Sequence, residues 1–500
     1  MAAAKNFYDA VLVGLDLTTL VAGALLAKRG FRVLVVGQGR PWPSYQLSGL
    51  SLPRGPFSLE APGSPVLARA FSELALKPLV QRRTHALAPA LQLVLPRHRL
   101  DLGGDPAMLG AELAREFPEA RTAALARLAH AADASAALDP LLAEDLSWPP
   151  DGFFERRAFS RALDRAPLGD DGDFTSELDR QHPLARAFAA IPSFGDAGAL
   201  ASSSSARGAR LLDARLRAAS LEEGLSGLYE LLCDSIRTHN GSLRLSERVD
   251  RLAPTHGAVE RLRLLPSDEE IGCHYVLWGL SADALARHLR EPAQLAPLFA
   301  EYGEPTPAAY RYVLNLVVDG DALPEGLSRD VLLYGERPLW IEAQRIRAGE
   351  HALLSVEAML DARALEADPT LLASQRERVL AELALLSPFF ARHLSLCDSP
   401  HDGRPPEGPA ASEVATLDAL SRRGPDTMQA VYAYPQTRIH GCCALPLRTP
   451  IERLLLCNAQ VVPGLGLEGR FITAWSAARL VTRALGRAWM NRGRWTKVEL

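Results

Sequence analysis

Near the start of the chain two short apolar runs flank a longer one. Asp9 to Val13 (DAVLV) and Phe31 to Val36 (FRVLVV) have the length and β-branched content of buried strands. Between them Leu20 to Arg29 is an apolar helix stopped by Gly30. Gly37 to Pro65 is loop-rich, punctuated by Pro41, Pro43, Pro53, Pro56 and Pro62. From Val66 to about Leu168 the pattern is mostly helical, with apolar residues of Ala107 to His130 at helical spacing. Ala201 to Ala206 (ASSSSA) reads as a flexible connector. Leu228 to His239 is a helix ended by the Asn240-Gly241 turn, and Leu243 to Leu252 and Ala258 to Leu265 alternate like paired strands. Tyr275 to Gly279 is a short buried strand. Arg311 to Val318, Val331 to Tyr334, Trp340 to Arg345 and Ala352 to Ala358 read as a sheet, and Leu371 to Leu386 as a helix. After a Pro/Gly/Ser-rich linker, Ser399 to Asp426, the chain closes with a strand (Arg453 to Cys457), a glycine loop and a long helix.

Composition changes this picture little. With 500 residues the chain is long enough for more than one domain, and 48% hydrophobic with 23% charged residues is ordinary for a globular protein. A formal net charge of −4 argues against a nucleic-acid partner. Six cysteines in so long a chain do not make a disulfide framework and read as reduced thiols. The start MAAAKNFYDA has no long apolar run of a signal peptide. The apolar stretch Ala10 to Ala27 contains Asp16, Thr18 and Thr19 and reads as strand plus helix rather than a membrane span. The expectation is a cytoplasmic protein.

The first strand–turn–helix–strand is the setting of a dinucleotide-binding fingerprint, Gly-x-Gly-x-x-Gly. The glycine positions fall on Gly14, Asp16 and Thr19, so only the first glycine is present. The second lets the backbone approach a pyrophosphate and the third lets the helix pack close to the strand. Asp16 puts a carboxylate where two phosphates would sit. The acid that binds a ribose at the end of the second strand is absent, and Gly37-Gln38 stands there.

Three segments carry a family resemblance. The βαβ unit is one. Glu223-Gly224-Leu225-Ser226-Gly227-Leu228, its helix, and the strand holding Arg248-Val249-Asp250-Arg251 resemble the Gly-Gly-x-x-x-Leu helix and adenine-side strand of flavin amine oxidases and phytoene desaturases. Arg453 to Arg479 resembles their C-terminal flavin segment. The resemblance implies an α/β fold: a Rossmann-like FAD-binding domain plus a mixed helical and antiparallel-sheet substrate domain. The first would comprise residues 1–65, 206–285 and 427–500, and the second 66–205 and 286–426. FAD is the cofactor implied, with Gly14, Asp16, Thr19, Gln38, Arg40, Val249, Gly464, Gly466 and Gly469 as cofactor-side positions. Gly464, Gly466 and Gly469 form the one literal Gly-x-Gly-x-x-Gly, but no strand follows its helix, so it reads as a loop admitting a helix N-terminus to an anion or flavin edge.

The departures fall on one ligand. The family's Gly-Asp or Gly-Glu after the last strand is here Cys457-Asn458-Ala459-Gln460. A carboxylate about 4 Å from a phosphate costs about 4 kcal/mol at an effective dielectric near 20. Asp16 is also a good helix N-cap. The expectation is weak or absent FAD, with Asp16, Gln38 and Arg40 filling the cavity that faces Gly14 and Asp16 pairing with Arg40. Three functions stay open: a non-catalytic binding or scaffold protein, an active flavin-dependent oxidoreductase acting on an apolar isoprenoid-like or amine substrate, and a cofactor-free binder of a protein partner, as in Rab GDP-dissociation inhibitors. An apolar small molecule is the other candidate partner. No catalytic acid or base stands out. His440-Gly441-Cys442-Cys443 lacks chelating spacing, so no metal is expected. Tyr310, Tyr312, Trp340, Tyr432 and Tyr434 suit strand packing or an interdomain cavity. Arg479, Arg483 and Arg487 make one stripe on the last helix, with Arg492, Arg494, Trp495 and Lys497 beyond. That pattern fits either a peripheral membrane contact or a helix packed on the first domain with solvated arginines.

Overall fold

The computed structural model describes residues 6–103, 105–166, 178–195, 198, 205–346, 350–413 and 424–486. The elements that frame the first sheet are β1 (Phe7–Val13), α1 (Leu17–Lys28), β2 (Val33–Val36), α2 (Gly224–Thr238), β3 (Ser242–Arg244), β4 (Arg248–Val249), β5 (Arg261–Leu265), β6 (Glu269–Trp278), β7 (Leu454–Leu456) and α3 (Gly466–Ala484). Its parallel part runs β3-β2-β1-β6-β7, and β5 and β4 extend it antiparallel from the first half of β6. β1 and β2 are buried on both faces, which is why their sequences are continuous apolar runs rather than alternating ones. α1 is buried along Leu17 to Ala27, because α2 and α3 pack against it in addition to the sheet. That explains a helix with no polar stripe.

The second sheet has eight strands. Thr306–Asp319, His351–Asp361, Pro338–Ile346 and Asp330–Tyr334 follow in antiparallel order, and Leu91–Val94 and Arg99–Leu102 extend one edge. At the other edge Leu394–Asp398 and Gln429–Ala433 pair with opposite ends of Thr306–Asp319. The α/β fold with a Rossmann-like parallel sheet and a largely antiparallel second sheet is therefore present.

Several local expectations change. Leu91–Val94 and Arg99–Leu102 are strands inside the stretch read as helical, closed by a turn at Pro96-Arg97. The helix expected over Ala107 to His130 is two, Pro106–Glu116 and Arg121–Ala136, parted at Phe117-Pro118, where proline denies the chain an N–H. Leu243 to Leu252 does not pair as one strand with Ala258 to Leu265. Ser242–Arg244 joins β2 in parallel and only Arg248–Val249 pairs with β5. Gln429–Ala433, from a stretch expected in the nucleotide domain, lies in the second sheet.

Candidate functional site

The turn after β1 brings Gly14, Asp16 and Thr19 together at the start of α1. Gly14 has φ +112°, and a Cβ there would lie 2.7 Å from Leu280 Cδ1. The four N–H groups that a helix N-terminus leaves without helical partners are those of Asp16, Leu17, Thr18 and Thr19. Three of them are taken by side chains of this protein, and the fourth faces one. Asp16 N–H donates to Thr19 Oγ1 at 3.2 Å, and Thr18 N–H to Asp16 Oδ1 at 2.9 Å. Thr19 N–H also donates to the Asp16 carboxylate, completing a capping box. Leu17 N–H faces the phenol of Tyr229, a buried group whose pKa is pushed up by desolvation and then by the Asp16 charge. The Thr19 hydroxyl in turn donates to Gly14 O at 2.8 Å.

The outer carboxylate oxygen of Asp16 lies 2.9 Å from Nη1 of Arg470, the fifth residue of α3. The anticipated ion pair thus forms with Arg470 rather than Arg40, because α3 packs against α1. Arg40 sits elsewhere, its N–H on Gly37 O at 3.0 Å and its charge close to Tyr432. Thr19 occupies the third glycine position without pushing the helix out. The clearance has moved to Gly279 at the end of β6, where a Cβ would lie 2.2 Å from Thr19 Cγ2.

At the end of β2, Gln38 and Val249 meet. Gln38 Oε1 accepts from Val249 N–H at 2.7 Å, and Gln38 Nε2 donates to Val249 O at 3.1 Å. The second amide hydrogen points to His288 Nε2 at 3.1 Å, while His288 Nδ1 faces Ala284 O at 3.0 Å. Nδ1 must be the protonated nitrogen, since a carbonyl only accepts, so neutral Nε2 accepts from Gln38. Gly37 leaves no gap here either, for a Cβ would lie 2.0 Å from Leu245 O.

The C-terminal glycines serve the same kind of close approach. Added Cβ atoms on Gly464, Gly466 and Gly469 would lie 2.6, 2.7 and 2.0 Å from Gly441 O, Gly195 O and Val462 O. Of the residues standing in for the family's Gly-Asp, Asn458 donates its amide to Leu280 O and accepts from Gln460 N–H at 2.9 Å. Gln460 then takes Ala282 N–H at 2.7 Å, and Cys457 Sγ lies 3.8 Å from Thr18 O. Leu15, Leu17, Val461, Val462 and Leu465 are buried in one apolar cluster across this junction.

Two features escaped sequence reasoning. The first is a buried ionic seam beside the glycine loop. Glu468, in the first turn of α3, takes Arg210 side-on through Nε and Nη2 at 2.7 and 2.6 Å and accepts from the Ser64 hydroxyl. Arg215 meets Glu60 at 2.9 Å, and burial raises the Glu60 carboxyl despite that partner. The second is a cleft of ≈ 830 Å³ lined by Trp42, Phe57, Leu225, Leu353, Glu223 and Glu230, among others. It reaches neither the Gly14 turn nor Gly464 to Gly469, and none of Tyr310, Tyr312, Trp340, Tyr432 and Tyr434 lines it. Its walls come from proline-rich and helix-start segments whose separation in sequence hides the concavity.

On the last helix Arg479 lies 3.3 Å from Asp145 Oδ1, and Arg483 pairs with Glu155, both partners in the helical insert. Arg487, Arg492, Arg494, Trp495 and Lys497 lie outside the described residues. Among the described residues no helix is long and apolar enough to cross a membrane.

Comparison of the whole chain with solved structures places this geometry. An oxidoreductase from Methanosarcina mazei matches with a TM-score of 0.58 at 15% identity, covering 94% of this chain and 99% of that one. Cyclohexylamine oxidase from Brevibacterium oxydans matches at 0.56 and 13% identity, over 96% and 99% of the two chains. Putrescine oxidase, in its wild-type complex with putrescine, matches at 0.54 and 14% identity, over 96% and 99%. The chain shares the fold of these two amine oxidases. No protein-family model matches the sequence. No curated protein matches it either. At these identities the likeness concerns the fold.

The cap itself can be tested. Asp16→Ala should destabilise the protein by about 1–2 kcal/mol, since it removes two cap hydrogen bonds and the Arg470 partner. Asp16→Asn keeps the cap and should lose less than half of that. Urea midpoints measure both, and equal losses would show that the ion pair outweighs the cap.

Proposed function

We propose that this chain is a cofactor-free binding protein built on the flavin amine oxidase fold. One observation carries the reading: three of the four N–H groups at the start of α1 are bonded to Asp16 and Thr19, and the fourth, of Leu17, faces the Tyr229 phenol. A helix N-terminus binds a pyrophosphate through those same donors. With them used, and with a carboxylate and a phenol at the spot, a phosphate would displace existing bonds and meet a negative charge. The residues present do not fit FAD, and no reaction step is derived through it. The filled glycine clearances at Gly37, Gly464, Gly466 and Gly469 support the same reading.

A protein of this kind acts by holding a partner. The cleft beside Trp42 and Phe57 is the place for it, being concave, of ligand size and lined by aromatic and acidic side chains together. An apolar small molecule or an apolar segment of a protein partner suits the aromatic wall, and a basic group on either suits Glu223 and Glu230.

The test is flavin release. Purified protein denatured in guanidinium should give no flavin fluorescence in the supernatant, and added FAD should not raise its melting temperature. Stoichiometric flavin would sink the reading and return the protein to the oxidoreductases.

A further inference from the structure

We propose that the Gln38 carboxamide is a built-in substitute for an adenine ring, held on the main chain of Val249 where this fold's dinucleotide would present its base. The inference deepens the cofactor-free reading and rests on it. In a βαβ unit the pyrophosphate sits at the helix N-terminus, and the ribose lies over the end of the second strand. The adenosine half therefore passes the residues that follow β2, which are Gly37 and Gln38. Across from them, Val249 turns its N–H and C=O away from β5, a donor and an acceptor side by side. Adenine carries a complementary pair, an amino donor beside a ring-nitrogen acceptor. A carboxamide carries the same pair. Gln38 engages both Val249 groups at 2.7 and 3.1 Å, so the base and the side chain compete for one edge.

The backbone supports a purpose for this side chain. Gln38 has φ +53°, a region where glycine is favoured and other residues are strained. Strain of this kind persists where the surroundings over-determine it. Here the surroundings are two bonds to Val249 and one to His288, and the side chain is buried. Glycine adopts a φ of +53° at no steric cost, so the loop can take glycine at this position.

The experiment removes the substitute and offers the original. Gln38→Gly relieves the backbone, empties the edge and leaves Val249 unpaired. Gln38→Leu keeps the volume but offers no hydrogen bonds. The probes are AMP and adenosine at millimolar concentration, read by thermal shift and by calorimetric titration. Adenosine, which brings no phosphate to the Asp16 carboxylate, should raise the melting temperature of Gln38→Gly by several degrees and leave wild type and Gln38→Leu unmoved. A folded Gln38→Gly variant blind to both probes overturns the proposal, as does an equal response from wild type. In wild type the Val249 amide should exchange with deuterium slowly, and fast exchange at that amide overturns the proposal even if neither variant folds. Flavin released from wild type would instead overturn the cofactor-free reading, so the two failures are distinguishable.

Discussion

Arg210→Met is expected to lower the unfolding free energy by about 3–5 kcal/mol, the usual cost of stripping one partner from a buried ion pair. Arg210 and Glu468 side chains are each 3% exposed, with two contacts at 2.6 and 2.7 Å. Arg210 also reaches Asp139 at 2.8 Å and Ser135 O at 3.0 Å, so its removal orphans several acceptors at once. Arg210→Lys should recover little, because a point charge cannot reproduce the two-pronged contact. Arg210→Met with Glu468→Met should regain most of the loss, since both buried charges are then gone. Chemical denaturation of the three variants measures this. A single-variant loss below about 1 kcal/mol would mean that water reaches the pair. The seam joins the start of α3 to the helix Ser205–Leu216 and, through Ser64, to Pro65–Glu73. It ties the loop Gly464 to Gly469 to both helices.

The fold was legible wherever burial on both faces wrote itself as an apolar run. Val11 to Val13, Leu34 to Val36 and Leu454 to Leu456 are all fully or almost fully buried, and their order gave the parallel sheet. Arg99–Leu102 was hidden because an edge strand of four residues, half polar, has no period long enough to stand out from helical neighbours. Leu371 to Leu386 read as one helix, yet it breaks at Ser374 into Thr370–Ala373 and Gln375–Leu383. Apolar spacing alone does not register a serine that ends one turn and starts the next.

The site was legible in its departures and illegible in its partners. Asp16 and Thr19 were visible as misfits in a glycine pattern, and the capping role of Asp16 followed from residue type. Tyr229 and Arg470 were not visible as the groups that complete the cap. They lie more than two hundred and four hundred residues away in sequence, and a lone Tyr or Arg on a helix carries no spacing signal. Gln38 and Val249 were both singled out by their places in the fold, but their mutual bond needed coordinates. The displaced clearance at Gly279 had no signal, because a glycine ending a strand has many uses.

Acidification below about pH 6.5 should destabilise the protein through His401, and His401→Gln should flatten that loss. His401 is buried, its Nδ1 lies 2.9 Å from Thr427 Oγ1, and no hydrogen-bond partner meets Nε2 among the described residues. The Thr427 hydroxyl donates to Gly424 O at 2.7 Å, so it accepts from His401 Nδ1–H. Protonation would place a charged N–H where nothing receives it. Desolvation first, then the Arg54 charge, hold the imidazole down at about 3, against the nearby Asp402, which acts the other way. The unfolded imidazole titrates near its ordinary value of 6.5, so between pH 6.5 and 3 the unfolded state binds one more proton. Stability then falls with falling pH by about 1.4 kcal/mol per unit across that window. Asp330 opposes it: burial raises its carboxyl to about 6 from 3.8, so from pH 6 down to 3.8 the folded state takes the extra proton and gains stability. The wild-type curve should therefore be shallow between pH 6 and 4 and steeper below 4, where Asp330 no longer offsets His401. The difference between wild type and His401→Gln isolates the imidazole, because Asp330 is common to both. Urea unfolding at half-unit pH steps gives that difference. A slope near zero in that difference between pH 6.5 and 4 would show that His401 gains water or an acceptor when it is charged.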